Sequence, residues 1–173
     1  MGYSVFPAPS SGITTSNLEW VKIASGTFSG TSYTISNLAG YKSFKFFGAV
    51  EAATSDNMNL RLNGSSSAVY YQKMAFNRGD LHDAYVTTKN ADSNFFLGYT
   101  TTSDWNNTIE FEITAAGSGM PTMISVKNIQ QSGVWQGWGT GVFDDTNEIT
   151  SMTFFGTASG TLSREFWLWG KTW

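Results

Sequence analysis

The sequence predicts an all-β protein, an antiparallel β-sandwich of about ten strands with a jelly-roll-like topology. In residues 109–113 apolar side chains alternate with carboxylates, which is the pattern of a strand with one buried face. The pair Asn63-Gly64 predicts a tight turn, because both residues tolerate a positive φ. No window has helical periodicity, and strands do not alternate with helices. These observations together favour antiparallel sheets.

The first 17 residues predict an extended N-terminal arm in front of a single β-sandwich domain that spans 18–173. Pro7 and Pro9 fix φ and remove backbone donors, so the arm favours neither a helix nor a central strand. An arm of this kind either frays or docks on another subunit. The apolar side chains expected to dock are Tyr3, Val5 and Phe6.

In the first half of the domain, short apolar or alternating runs are separated by turn-rich segments. Residues 43–52 form the longest of these predicted strands. The run 68–76 is expected to pair back on Leu60 and Leu62 after the Asn63-Gly64 turn. Polar residues 77–94 predict a long excursion with one short strand near 85–86. The remaining strands of this half are expected at 20–23, 33–35 and 95–99.

The second half gives a stronger strand signal. Alternation in 165–171 predicts that Phe166 and Leu168 point inward while Trp167 and Trp169 point outward together. The other strands of this half are expected at 109–113, 123–129, 134–143 and 149–155.

Composition limits the classes of function. The 173 residues contain no cysteine, which excludes a disulfide framework and a cysteine-based metal site. Only 13% of residues are charged and 16% are aromatic. A weakly ionic surface suits contacts with neighbouring proteins, because hydroxyls and amides cost less to desolvate than ions. The net charge of −3 gives no reason to expect nucleic acid or an anionic membrane as a partner. No apolar run is long enough for a membrane-spanning helix.

No catalytic residues, metal ligands or cofactors are predicted. His82, the only histidine, lies near Asp80 and Asp83, but no nucleophile can be assigned to it from spacing. Glu110 and Glu112 resemble the paired carboxylates of a glycosidase, yet their alternation with apolar residues indicates the solvent face of a strand. Oxygen donors in 144–148 lack the spacing of a calcium loop and are better explained as turn residues.

Five short motifs occur in an order that resembles a β-sandwich domain of tailed-bacteriophage virion proteins, found in tail fibres, tail-associated proteins and capsid cement or decoration proteins. The resemblance covers about 18–170, and the order of the motifs carries its specificity. This chain departs from the pattern in having serines at 65–67 instead of an acidic residue after the turn, and in adding three residues after the last motif. The motifs are ISNLAGYKSFKF at 35–46, LRLNG at 60–64 followed by Tyr70 or Tyr71, ITSMTF at 149–154, SGTL at 159–162 and FWLWG at 166–170.

The resemblance implies a non-enzymatic virion structural protein. The expected protein is an accessory subunit of the capsid or tail that binds neighbouring virion subunits, such as major capsid or tail proteins. A homo-oligomer is expected, with the homotrimer as its favoured form, because phage decoration and fibre proteins frequently have three-fold symmetry. The alternative is a receptor-binding or carbohydrate-binding tail-fibre module that contacts glycans of the host surface.

Tryptophans are the expected binding residues for either role. Exposed indoles are costly unless they are covered, and aromatic residues are enriched in subunit interfaces. Two other interpretations stay open, namely burial of both sheet faces by loops and stacking of the indoles on sugar rings. The glycan-binding alternative rests on Trp135 and Trp138. The tryptophans expected in an assembly interface are Trp135, Trp138, Trp167, Trp169 and Trp173.

Overall fold

The computed structural model describes residues 19–52, 56–78, 81–100, 107–114, 116–117, 119–130, 135–157 and 162–172. These residues form thirteen β-strands and no helix. The strands are β1 (Val21–Thr27), β2 (Ser32–Ser36), β3 (Ser43–Ala52), β4 (Asp56–Leu62), β5 (Tyr70–Arg78), β6 (Leu81–Asp92), β7 (Phe95–Thr100), β8 (Asn107–Thr114), β9 (Thr122–Gln130), β10 (Trp135–Phe143), β11 (Ser151–Gly156), β12 (Leu162–Ser163) and β13 (Glu165–Lys171).

The strands form two antiparallel sheets that pack face to face as a β-sandwich. The larger sheet has the order β1-β13-β3-β8-β9-β10-β5-β6, and the short β12 also pairs with β3. The smaller sheet has the order β2-β11-β4-β7. The all-β prediction is therefore confirmed, whereas the jelly-roll topology stays a prediction.

Aromatic side chains fill the space between the sheets. Phe46 of the larger sheet stacks on Phe111, with ring centroids 4.7 Å apart, and on Phe154 of the smaller sheet at 4.8 Å. All three rings are buried. Between the sheets, the buried Gln72 amide also donates to the carbonyl of Phe96 and accepts from its N–H. The high aromatic content thus supplies the core as well as the surface.

Glycines on the inner face of β10 make room for this core. An added Cβ at Gly137 would lie 2.5 Å from the ring of Phe76, and one at Gly141 would lie 2.7 Å from the ring of Phe95. Side chains alternate along a strand, so three glycines at alternate positions clear one face only. The glycine-rich run is therefore a packing feature of a strand, and it places the intervening Trp138 on the outer face.

The Asn63-Gly64 turn forms as expected, with φ of 54° and 66°, but it does not close a hairpin. The sequence prediction that 68–76 pairs back on Leu60 and Leu62 is wrong. The strand after the turn, β5, crosses into the larger sheet and pairs with β10 and β6. The Asn63 side chain holds the turn against the next segment of the smaller sheet, donating to the Glu148 carbonyl at 2.8 Å and accepting from the Thr150 N–H at 2.7 Å.

A long polar strand replaces the predicted excursion at 77–94. β6 has twelve residues and pairs with β5 along its length, with register shifts near both ends. The lysine, asparagine and threonine side chains of β6 leave little alternation of apolar and polar residues, which is why the sequence pattern did not predict this strand. β6 is an edge strand of the larger sheet, and among the described strands it pairs only with β5. Its backbone hydrogen bonds to β5 hold these residues in a strand, although their side chains have only a weak preference for strands.

Candidate functional site

The outer face of the larger sheet carries most of the exposed large hydrophobic side chains in the described part of the chain. Trp138 is 53% exposed, more than any other aromatic residue among them. Five further side chains on this face are exposed by 40% or more. They are Phe47, Tyr71, Val86, Met123 and Ile129.

Strand register arranges this face in rows, because directly paired residues of adjacent strands point to the same side. The first row contains a half-buried tryptophan followed by charged and hydroxyl side chains. It runs Trp169, Lys45, Glu112, Ser125, Thr140 and Lys73 over β13, β3, β8, β9, β10 and β5.

The second row lies next to the first on the same six strands and continues to β6. It has aromatic side chains on both sides of a central pair of charged side chains. It runs Trp167, Phe47, Glu110, Lys127, Trp138, Ala75 and Val86.

Apart from Trp167, the residues of these two rows line one groove of about 960 Å³, which we call the central groove. Trp169 and Trp20 contribute at one end and Trp138 with Val86 at the other. Four strand spacings of about 4.8 Å separate β13 from β10, so the two ends lie about 20 Å apart. The central groove therefore crosses the strands and is longer than a single small ring.

Four charged side chains in the central groove lie next to a side chain of opposite sign on an adjacent strand. Lys45 lies with its Nζ 4.5 Å from the centre of the Trp20 ring and 3.7 Å from Glu112 Oε2. Glu110 and Lys127 are directly opposed on β8 and β9. Because the pairs are at the surface, each contributes little to stability. Their effect is to give the groove floor both donors and acceptors without a strong net charge.

A third row on the same face is apolar. Met123, Val142 and Tyr71 are directly paired neighbours on β9, β10 and β5. Met123 is 55% exposed. We call these three residues the apolar row. They also line a second depression of about 680 Å³, which adjoins the central groove and shares Thr140 and Ser125 with it.

The structure separates the predicted tryptophans into different positions. Trp167 and Trp169 point outward and are half-buried, while Phe166 and Leu168 are buried, as alternation predicted. Trp167 packs beside Phe47, with ring centroids 6.0 Å apart. Their proposed role in an assembly interface stays a prediction.

The other predicted site residues lie wholly or partly outside the described residues. Trp135 is the first residue of β10, but the structure describes only its backbone. The predicted arm and C-terminal contacts lie wholly outside the described residues. These residues are Tyr3, Val5, Phe6 and Trp173.

Candidate catalytic and metal residues do not converge among the described residues. The 144–148 turn uses its oxygens locally, since Asp145 accepts from the Asn147 backbone N–H and side-chain amide, and Glu148 pairs with Lys42 at 2.9 Å. Within the described ranges no group of three or more histidine and acidic side chains is placed to hold a metal ion. His82 lies in β6, where the structure describes its backbone but not its side chain.

Lys42 lowers the pKa of Glu148 through a hydrogen bond and its positive charge. Burial acts in the opposite direction at Tyr70, whose pKa rises to about 12 because the ionised phenolate would be poorly solvated. The Tyr70 hydroxyl bonds the backbone of Leu62 and Ser65 on either side of the Asn63-Gly64 turn, whereas the Glu148 carboxylate pairs with Lys42. Neither side chain lines the central groove, so the pKa shifts of Tyr70 and Glu148 arise from contacts that stabilise the fold.

Sequence reasoning missed several groove residues, including Phe47, Lys127 and Lys45. Lys45 and Phe47 alternate with buried Phe44 and Phe46 on β3, and Lys127 lies between buried Val126 and Asn128 on β9. Part of this alternation can be read from the sequence. What could not be read was which strands lie side by side. Glu110 and Glu112 were assigned correctly to the outer face, where both line the groove.

No protein-family model matches this chain, and no curated protein matches it. Among the described residues, no helix has the length and apolar character needed to cross a membrane.

Proposed function

We propose that this chain is a non-enzymatic structural protein of a bacteriophage virion. It acts as an accessory subunit, of the capsid cement or decoration kind or as a small tail component, that binds neighbouring virion subunits. The ordered motifs that resemble virion β-sandwich domains support this role. The weakly ionic composition supports it as well, because such a surface is readily desolvated against a partner.

The apolar row is the observation that carries the proposal. Met123, Val142 and Tyr71 form a contiguous apolar surface across three strands of an open sheet face. Contiguous exposed apolar surface in a soluble protein marks interaction sites, whereas single exposed residues do not. The apolar row therefore supplies the surface for a neighbouring subunit, which can be a second copy of this chain.

Introducing a charge into the apolar row tests this assignment. Met123→Asp is expected to reduce self-association, measured by sedimentation, and incorporation into particles, because the carboxylate would be desolvated in the interface. Ile129→Asp is the matched control. Ile129 lies on the same strand and face, but its paired neighbours are Thr108 and Gln136. A protein that stays a monomer at high concentration and never enters particles would refute the proposal.

The N-terminal arm is tested separately. Deletion of residues 1–17 is expected to leave the fold of the sandwich intact and to weaken incorporation, since the predicted docking side chains Tyr3, Val5 and Phe6 would be lost. Circular dichroism and thermal unfolding measure the fold, and particle composition measures incorporation. Unchanged incorporation would show that the arm takes no part in assembly.

A further inference from the structure

We propose that the central groove binds an uncharged oligosaccharide chain laid across the strands, with Trp138 as its principal stacking platform. The site is distinct from the apolar row, and it does not depend on the chain being a virion subunit. Its volume of about 960 Å³ falls in the range of ligand-binding clefts, which usually combine aromatic walls with a few polar groups.

Aromatic rings stand at both ends of the central groove. Trp138 is half-exposed at one end, and Trp169 and Trp20 line the other. An indole offers a flat apolar face and keeps a polar N–H at its edge, which matches a sugar ring with one apolar face and hydroxyls at its rim. A separation of about 20 Å between the ends, estimated from the strand spacing, requires several linked sugar units.

Hydrogen-bonding groups cover the floor between these rings. Glu112, Ser125 and Thr140 are consecutive in the first row, and Glu110 and Lys127 are consecutive in the second. Carboxylates accept hydrogen bonds, ammonium groups donate them, and hydroxyls do both. Sugar hydroxyls need such a mixture of donors and acceptors.

The charges of the groove favour a sugar over a protein partner. Five of its described lining residues are charged, namely Lys45, Lys73, Lys127, Glu110 and Glu112. Charged side chains are depleted from the cores of protein interfaces, because desolvating them is costly. An oligosaccharide keeps many waters at its edges and replaces hydration with hydroxyl contacts.

The near balance of these charges favours an uncharged ligand. Three lysines and two glutamates give a formal sum of only +1, and Lys45 and Glu112 are already paired at 3.7 Å. A groove that binds nucleic acid would present a continuous basic surface to the phosphates. The balance therefore leaves ring stacking and hydrogen bonding as the means of recognition.

Titration of the whole chain with neutral oligosaccharides of hexose and N-acetylhexosamine units tests the proposal. Calorimetry and tryptophan fluorescence should show saturable binding that strengthens with chain length from one unit to several. Trp138→Ala should weaken this binding at least tenfold, while Trp138→Phe retains part of it. Met123→Asp is the control, because it disrupts the apolar row and should leave sugar binding unchanged.

Four results would overturn the proposal. The first is the absence of saturable binding across the series, and the second is binding that Trp138→Ala leaves unaltered. The third is a change of oligomeric state in Trp138→Ala without sugar binding, which would show that another copy covers the groove. Release of new reducing ends, abolished by Glu110→Gln, would make the groove an active site and overturn a role in binding alone. Urea midpoints equal to that of the unmodified chain confirm that each variant is folded.

Discussion

The glycines on the inner face of β10 allow one substitution whose cost can be worked out from distances. In Gly139→Ala, the added Cβ would lie 2.5 Å from the carbonyl oxygen of Lys73 and 2.9 Å from the Cα of Met74, and it would also meet Met74 Cγ. Two of these atoms are backbone atoms of β5, the strand paired with β10. The strands must therefore separate, or the ladder between them must shift.

The expected destabilisation is about 1–3 kcal/mol. Adding a methyl group to a packed core typically costs about 1–3 kcal/mol, and more when backbone has to move. The lower entropy of the unfolded chain after a Gly-to-Ala change returns about 0.4–1 kcal/mol. Met74→Ala in the same chain should recover only part of the loss, because the contact with the Lys73 carbonyl remains.

Gly26→Ala is the matched control, since Gly26 also lies within a strand of the larger sheet. There the nearest atom to an added Cβ is Phe166 Cε1 at 3.4 Å, which is ordinary contact. Its φ is not positive, so alanine fits the backbone. This control should be neutral or up to about 1 kcal/mol more stable than the unmodified chain.

Urea unfolding followed by tryptophan fluorescence measures both variants. The midpoint should fall for Gly139→Ala with little change in slope, because a similar surface is exposed on unfolding. If Gly139→Ala is as stable as Gly26→Ala within about 0.5 kcal/mol, a typical limit for substitutions away from such contacts, the packing argument for the glycine run is wrong.

Two further predictions concern the Asn63-Gly64 turn. Tyr70→Phe removes a buried hydroxyl that accepts from the Leu62 N–H at 2.9 Å, and we expect a loss of about 1–3 kcal/mol at neutral pH. Because burial raises the pKa of Tyr70 to about 12, the neutral phenol favours the folded state fully below pH 10, and about 3 kcal/mol of stability should be lost between pH 10 and 12. Urea unfolding across that range should show a smaller loss in Tyr70→Phe, and equal slopes in both proteins would contradict the assignment. Asn63→Gly keeps the positive φ but loses the hydrogen bonds to the 148–151 segment, so we expect a cost of about 1–2 kcal/mol, with Asn63→Ala costing about 1 kcal/mol more. The same unfolding assay checks this order, and a reversed order would show that backbone strain at residue 63 is unimportant.

Strand positions with strong alternation could be predicted closely from the sequence. The predicted strands 43–52 and 165–171 have the same ends as β3 and β13. The polar edge strand β6 was missed, because its pairing with β5 rather than its own residues determines its conformation. The predicted partner of 68–76 is wrong, because the Asn63-Gly64 turn leads from a strand of the smaller sheet to one of the larger sheet.

The candidate site was predicted only in part. The shared outward direction of Trp167 and Trp169 followed from alternation with Phe166 and Leu168. Exposure of Trp138 in particular was not predicted. The central groove did not, because its lining comes from seven strands that are distant in the chain. Trp169 and Trp138 are 31 positions apart in the sequence, and only the order β13-β3-β8-β9-β10 places them at two ends of one groove.

The sequence by itself determined that this protein is all-β and which side chains of its strongly alternating strands share a face, because the two-residue alternation of a strand is set by local covalent geometry. Tertiary structure alone decided which strands are neighbours and in what register they pair. Those choices depend on contacts between residues far apart in the chain, which no local pattern records. The rows of tryptophan, glutamate and lysine on the outer face are a product of that pairing.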